Sequence, residues 1–231
     1  MIKIIIYNNL ASFMKLLLTS NGLSNQSIAR ALFELVGKPA SETTVVFIPT
    51  AMNVARGSKD WFINDLNNIK KQGFKFIDIV DISALPKEVW LPKIESGDVL
   101  FFSGGNTYHL MYWLKESGLA ELLPELLKTR VYAGISAGSI VSNPSIAYTS
   151  SDKRKYYEDQ FGYKSETALN LVDFYIYPHF NNPSHLHSRE ETLKKTADET
   201  KKTVYGLDDE SALKVVDGAI EVITEGEYLK L

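Results

Sequence analysis

VYAGISAGSIV, residues 131–141, is the stretch on which the reading of this chain turns. Residues 131–135 are a short apolar run with β-prone composition, and Ser136 follows directly, with Ala137 and Gly138 opening a helix-compatible segment. A strand that passes into a helix through Gly-x-Ser-x-Gly is the setting of a nucleophile elbow. The small neighbours have a physical purpose: the backbone must bend sharply, and a substrate carbonyl must reach the serine Oγ without meeting side-chain bulk. A helix beginning at Ala137 would turn its N–H toward that carbonyl oxygen as negative charge develops. A glycine-rich turn that only packs would read the same way, so the motif needs partners elsewhere in the chain.

Working outward, apolar runs of the same kind occupy residues 15–19, 44–49, 74–80, 98–102 and 174–177. Between them, residues 26–36, 60–71, 108–115 and 119–128 place apolar side chains three and four apart, as surface helices do. Strand and helix alternate, which predicts a three-layer αβα sandwich around a mostly parallel sheet, with ligands bound beyond the carboxyl ends of the strands. Near the C-terminus, residues 212–216 and 219–223 flank Asp217-Gly218, a two-residue hairpin signal. An antiparallel hairpin is therefore expected to finish the sheet. Residues 150–166 are polar and lack a clean period, and read as a long loop or irregular insertion of the sort that covers active sites. Met14 opens a second start, MKLLLTSNGLS, so residues 1–13 read as an extension and residues 14–231 as a single catalytic domain.

Composition narrows the function. With 45% hydrophobic and 23% charged residues in 231, the chain suits a folded globular domain and not a disordered one. A net charge of -3 without a long basic run gives no electrostatic footprint for nucleic acid or an anionic membrane. No stretch approaches the ~20 apolar residues needed to cross a bilayer, and the N-terminus lacks the pattern of a signal peptide, so a cytoplasmic protein acting on small molecules is expected. There is no cysteine, which removes disulfides, thiolate metal sites and cysteine nucleophiles together.

A serine hydroxyl needs a base to take its proton. Of four histidines, His179 follows the run 174–177 immediately, at a strand end, with Pro178 stiffening the approach. His109 lies in a helical stretch and reads as packed or surface, while His185 and His187 fall in a loop. An H-x-H pair could suggest a metal, but no Asp or Glu stands at ligand spacing, and no cofactor is expected. The base in turn needs a carboxylate. GLDDESAL, residues 206–213, offers Asp209 first and Glu210 next, with Asp208 beside them and Asp152 and Asp173 as more distant alternatives. A second glycine-rich turn, Ser103-Gly104-Gly105-Asn106-Thr107, follows the run 98–102 and opens a helix at the same sheet edge. Backbone N–H groups of Gly104 and Gly105 can complete an oxyanion hole with Ala137, and Asn106 would stand near substrate. Phosphate binding competes less well there, because no P-loop lysine follows.

Taken together, MKLLLTSNG at Met14, VVFIPTA at Val45, FFSGGNTYHL at Phe101, GISAGS at Gly134, YPHF at Tyr177 and GLDDESAL at Gly206 resemble, in order, the peptidase E family. These are serine peptidases on a class I glutamine amidotransferase-like fold. The resemblance implies Ser136 as nucleophile, His179 as base and Asp209 as triad acid, with Asp152 as a further acidic residue and Arg189 placed to meet an acidic substrate side chain. It implies hydrolysis of dipeptides with an N-terminal aspartate by a monomer or homodimer. An amidotransferase is ruled out by the missing cysteine. An esterase of the α/β-hydrolase type would put its acid before its histidine. A cyanophycinase-like exopeptidase is a related alternative, and a ligand-binding homologue that keeps the elbow is one outside catalysis.

Overall fold

The computed structural model describes residues 14–149 and 151–231, apart from the side chains of residues 151 and 152. The extension expected at residues 1–13 lies outside them. Five strands, β1 (Lys15–Thr19), β2 (Thr44–Ile48), β3 (Phe76–Ile79), β4 (Val99–Phe102) and β5 (Val131–Ile135), pair in parallel. Two more, β8 (Ser211–Val216) and β9 (Ala219–Thr224), extend the sheet antiparallel in the order β3-β2-β4-β5-β1-β8-β9. Asp217 and Gly218 both take positive φ, 50° and 83°, the backbone twist that a two-residue hairpin requires. The αβα sandwich and its C-terminal hairpin are thus both present.

Burial explains the composition of the inner strands. Leu17, Val45, Phe47, Phe101, Ala133 and Ile135 face one core, which helix α1 (Gln26–Val36) closes with Ile28, Leu32 and Leu35 and helix α2 (Asp60–Lys71) with Ile69. Leu16, Leu18, Val46, Leu100, Phe102 and Tyr132 face the other, against α3 (Lys87–Ser96), α4 (Thr107–Glu116) and α5 (Leu119–Leu126). A strand buried on both faces has no polar side to alternate with, hence the unbroken runs. Helix α3 escaped the periodicity reading because it buries only Trp90 and Ile94, too few for an apolar stripe to show.

Residues 174–177 do not join the main sheet, as their apolar composition had suggested. Strand β6 (Tyr175–Pro178) pairs in parallel with β7 (Val204–Leu207), and β10 (Tyr228–Lys230) adds antiparallel to β7, forming a separate three-stranded sheet. Its own small core holds Tyr175, Tyr177, Phe180, Leu193 and Val204, with Leu193 supplied by α8 (Glu190–Thr200). The parallel register sets Pro178 opposite Leu207, so the residues that follow the two strands emerge side by side. The polar segment after residue 150 is also ordered differently from expectation. It forms helix α7 (Ser151–Phe161), held to the body by buried Tyr157, whose hydroxyl meets His109, and by Lys153, which donates to the Gly105 carbonyl, while Arg154 pairs with Glu158 one turn on and with Glu166. One buried ring gives too little apolar stripe for a helical period to be visible.

Candidate active site

Ser136 leaves β5 with φ 46° and ψ -102°, a conformation rarely taken by a residue with a side chain, and α6 (Ala137–Ile140) starts immediately after it. The elbow is locked from several sides. The Ser136 N–H donates to the Thr19 carbonyl at 3.1 Å, Ser139 Oγ donates to the same carbonyl at 2.7 Å, and Thr19 Oγ1 donates to the Gly134 carbonyl at 2.8 Å. The glycines are sterically required here: a Cβ on Gly134 would sit 2.6 Å from the Gly138 backbone, and one on Gly138 would overlap the Phe102 carbonyl.

His179 sits at the end of β6, itself at positive φ of 61°. Its Nε2 lies 3.0 Å from Ser136 Oγ and its Nδ1 lies 2.6 Å from Asp209 Oδ1. Two further groups hold this arrangement. The His179 N–H donates to Ser20 Oγ at 2.8 Å, and Ser20 Oγ lies 3.3 Å from Asp209 Oδ1, while Asn182 Nδ2 donates to Asp209 Oδ2 at 2.7 Å. The hydrogen bond from His179, with those from Asn182 and Ser20, outweighs burial and holds the Asp209 carboxyl down at about 2. The His185 ring stacks on His179 with centroids 4.0 Å apart, and burial, followed by the neighbouring His179, pushes its pKa down to about 4.

Ser136 and His179 open into a cavity of about 510 Å³. Gly104, Gly105 and Asn106 form one wall, and a Cβ on Gly104 would stand 3.5 Å from both the Ser136 Cβ and the Trp61 ring. Gly105 has φ 136°, and any side chain there would overlap the Ala51 carbonyl. Asn106 faces the cavity, but its Oδ1 is used to cap α4, accepting from the Tyr108 and His109 N–H groups at 2.9 and 3.1 Å. Two cations also line the cavity: Arg56, whose guanidinium lies 4.2 Å above the Tyr156 ring, and half-buried Lys153, which donates to the Gly105 carbonyl at 2.9 Å. Burial lowers the pKa of Lys153.

Asp65 of α2 completes the wall; it is 4% exposed, and burial pushes its pKa up to about 7. Between the usual carboxylate range and 7 the folded chain binds more protons than the unfolded one, so stability falls as pH rises through that window. Asp65→Asn removes this cost. The melting temperature should rise by roughly 4–8 °C at pH 8 and change little at pH 4. Equal melting shifts at the two pH values in calorimetry would show that the carboxyl is not held out of water.

A family model for peptidase family S51 matches residues 16–223. The chain belongs to peptidase family S51. An uncharacterized peptidase of Pasteurella multocida is 35% identical over 143 residues, 60% of this chain and 66% of that protein. An uncharacterized peptidase of Listeria innocua is 32% identical over 185 residues, 79% of this chain and 84% of that protein. The crystal structure of a candidate peptidase E from Listeria monocytogenes EGD-e superposes with a TM-score of 0.75 at 26% identity, covering 92% of this chain and 99% of that one. The likeness to peptidase E is thereby established at the level of family and fold, and the activity at the level of a peptidase.

Within this S51 member, the carboxylates the sequence offered take separate positions. Asp209 meets His179. Asp208 accepts from the Glu210 N–H at 3.0 Å and from Ser211 Oγ and the Glu227 N–H at 2.5 Å each, tying the strand ends together. Glu210 accepts from Asn25 Nδ2 at 3.0 Å, and exposed Asp173 pairs with Lys202. Asp152 falls in α7, and its side chain is outside the described residues. Arg189 does not line the cavity; its guanidinium donates to the Asn182 carbonyl at 3.1 Å, bracing the loop that carries Asn182. His109 is packed inside, with Nδ1 2.9 Å from the Tyr157 hydroxyl. Asn182, Arg56 and Asp65 carried no motif, and Ser20, although it lies within MKLLLTSNG, was given no role there, so sequence reasoning missed all four. The one available signal was Ser20 standing directly after the first parallel strand.

Proposed function

We propose that this protein is a serine exopeptidase acting on small peptides, with dipeptides bearing an N-terminal aspartate as the favoured class. The observation that carries the reading is the continuous hydrogen-bonded chain from Ser136 Oγ through His179 to Asp209, at 3.0 and 2.6 Å. Ser136 Oγ attacks the scissile carbonyl carbon as His179 Nε2 takes its proton. Asp209 keeps the imidazole in the tautomer that accepts at Nε2 and stabilises the imidazolium. The oxyanion meets N–H groups of Ala137, at the start of α6, and of the Gly104-Gly105 turn. His179 then passes its proton to the leaving amine. The Ser136 ester formed in this step is hydrolysed by water, with His179 again acting as base.

A cavity of about 510 Å³ suits a ligand of two or three residues better than a folded chain. Its two cations support an acidic side chain in the substrate. Arg56 and Lys153 take the part that the family resemblance assigned to Arg189, because they face the cavity and Arg189 is occupied with Asn182. The test is a panel of Xaa-Leu dipeptides with wild-type and Arg56→Ala protein. Asp-Leu should be cleaved faster than Ala-Leu, and Arg56→Ala should lower kcat/KM for Asp-Leu by about 10- to 100-fold while leaving Ala-Leu within a few-fold. Cleavage of Asp-Leu no faster than Ala-Leu would remove the aspartyl preference. Failure of a fluorophosphonate to label Ser136 in folded protein would instead favour a ligand-binding homologue.

A further inference from the structure

We propose that Asp65 anchors the protonated α-amino group of the substrate, making the enzyme a reader of free peptide N-termini. The inference rests on the peptidase reading above and adds the group that sets where along a peptide the cut falls.

Helix α2 buries only two of its residues, Asp65 and Ile69, one turn apart. Ile69 enters the core beneath the sheet, while Asp65, like Trp61 one turn before it, lines the cavity beside Ser136. The Asp65 carboxyl is placed by its neighbours: Oδ1 is 3.4 Å from where a Cβ on Gly22 would stand, and that point is 3.2 Å from the Cδ1 of Ile135, the residue before Ser136. The carboxylate therefore stands against the elbow itself.

Among the described residues, no hydrogen bond or ion pair reaches this carboxyl, and burial is the one influence on its ionisation. Its contrast with Asp209 is instructive, because that carboxylate receives bonds from His179, Asn182 and Ser20. A buried carboxylate without a partner is costly, and the cost disappears once a cation with N–H donors docks against it. Arg56 and Lys153 give the same cavity positive charge. A cavity that carries one unpaired carboxylate and two cations complements a ligand with an ammonium and a carboxylate close together, which is what an N-terminal acidic residue presents. An acyl-blocked or internal residue has no ammonium to offer, and would leave Asp65 buried and unpaired.

Binding can be measured without turnover in the Ser136→Ala protein, by calorimetry with Asp-Leu and N-acetyl-Asp-Leu. The free dipeptide should bind at least ~30-fold more tightly than the acetylated one. In Ser136→Ala/Asp65→Asn the ratio should fall below about 3-fold, through loss of Asp-Leu affinity, with both proteins melting cooperatively. A ratio near one with Asp65 intact, a preference that survives Asp65→Asn, or no binding of either dipeptide by the folded protein would each overturn the proposal. The peptidase reading fails by a separate observation, undiminished cleavage by Ser136→Ala, so the two failures are told apart.

Discussion

Ser136→Ala is expected to lower kcat for Asp-Leu by about 10⁴-fold or more, with little change in the melting temperature. The reasoning follows the reaction coordinate. Removing Oγ leaves the cavity, the oxyanion donors and His179 in place, but no atom remains to form the acyl-enzyme, and only attack by water is left. Those remaining groups still orient and polarise a carbonyl, so residual hydrolysis above the uncatalysed rate is compatible with the assignment. Ala retains Cβ and is tolerated at the same backbone position as poorly as serine, so the strain at φ 46° is unchanged. Purified variant and wild type should be compared by product release and by active-site labelling. Turnover within ten-fold of wild type would mean that Ser136 is not the nucleophile.

The second large effect belongs to Asp209→Asn, for which a loss of about 10⁴-fold in kcat is expected. The carboxylate accepts from His179 at Nδ1, which leaves Nε2 free to accept the Ser136 proton. An amide in the same place can present N–H to Nδ1, which favours the tautomer protonated at Nε2, the wrong one for a base. Because its hydrogen bonds hold the Asp209 carboxyl at about 2, it stays ionised throughout the range in which a histidine base titrates. Its folded pKa is depressed, so the stability it contributes is present above its unfolded value and is lost only as pH falls toward 2. The activity defect of Asp209→Asn should accordingly persist across neutral pH. A variant that recovered wild-type kcat at pH 8 would contradict this role.

Asn182 and Ser20 show why a site of this kind is only partly legible. Each is a common surface residue type, and each is placed on Asp209 or His179 by contacts between elements far apart in the chain. The carboxylate that meets His179 was ambiguous in the sequence for a different reason. Asp208, Asp209 and Glu210 are consecutive, and the turn after β7 sends one to the strand junction, one to His179 and one to Asn25. That division depends on backbone direction over three residues, which composition does not record. Arg189 was named because an arginine near a histidine motif has the right chemistry for a carboxylate; it is not among the residues lining the cavity, and one of its N–H groups donates to the Asn182 carbonyl. Lys153 stands in the run Lys153-Arg154-Lys155, a pattern that ordinarily marks a solvated face, and only the docking of α7 turns it toward Gly105.

By itself the sequence determined the alternation of buried strands and amphipathic helices, the C-terminal hairpin, and the elbow at Ser136. Each is a local property: side-chain period, turn chemistry and the need for glycine where backbones touch are all written within a few consecutive residues. The absence of cysteine likewise limits the chemistry open to that elbow. Only the tertiary structure decided that β6 and β7 leave the main sheet, that their parallel register brings His179 beside Asp209, and that α2, the segment before it and α7 line one cavity with Asp65, Arg56 and Lys153. Those arrangements come from pairing between segments distant in the chain. An apolar period states that a face will be buried, and leaves open which partner buries it.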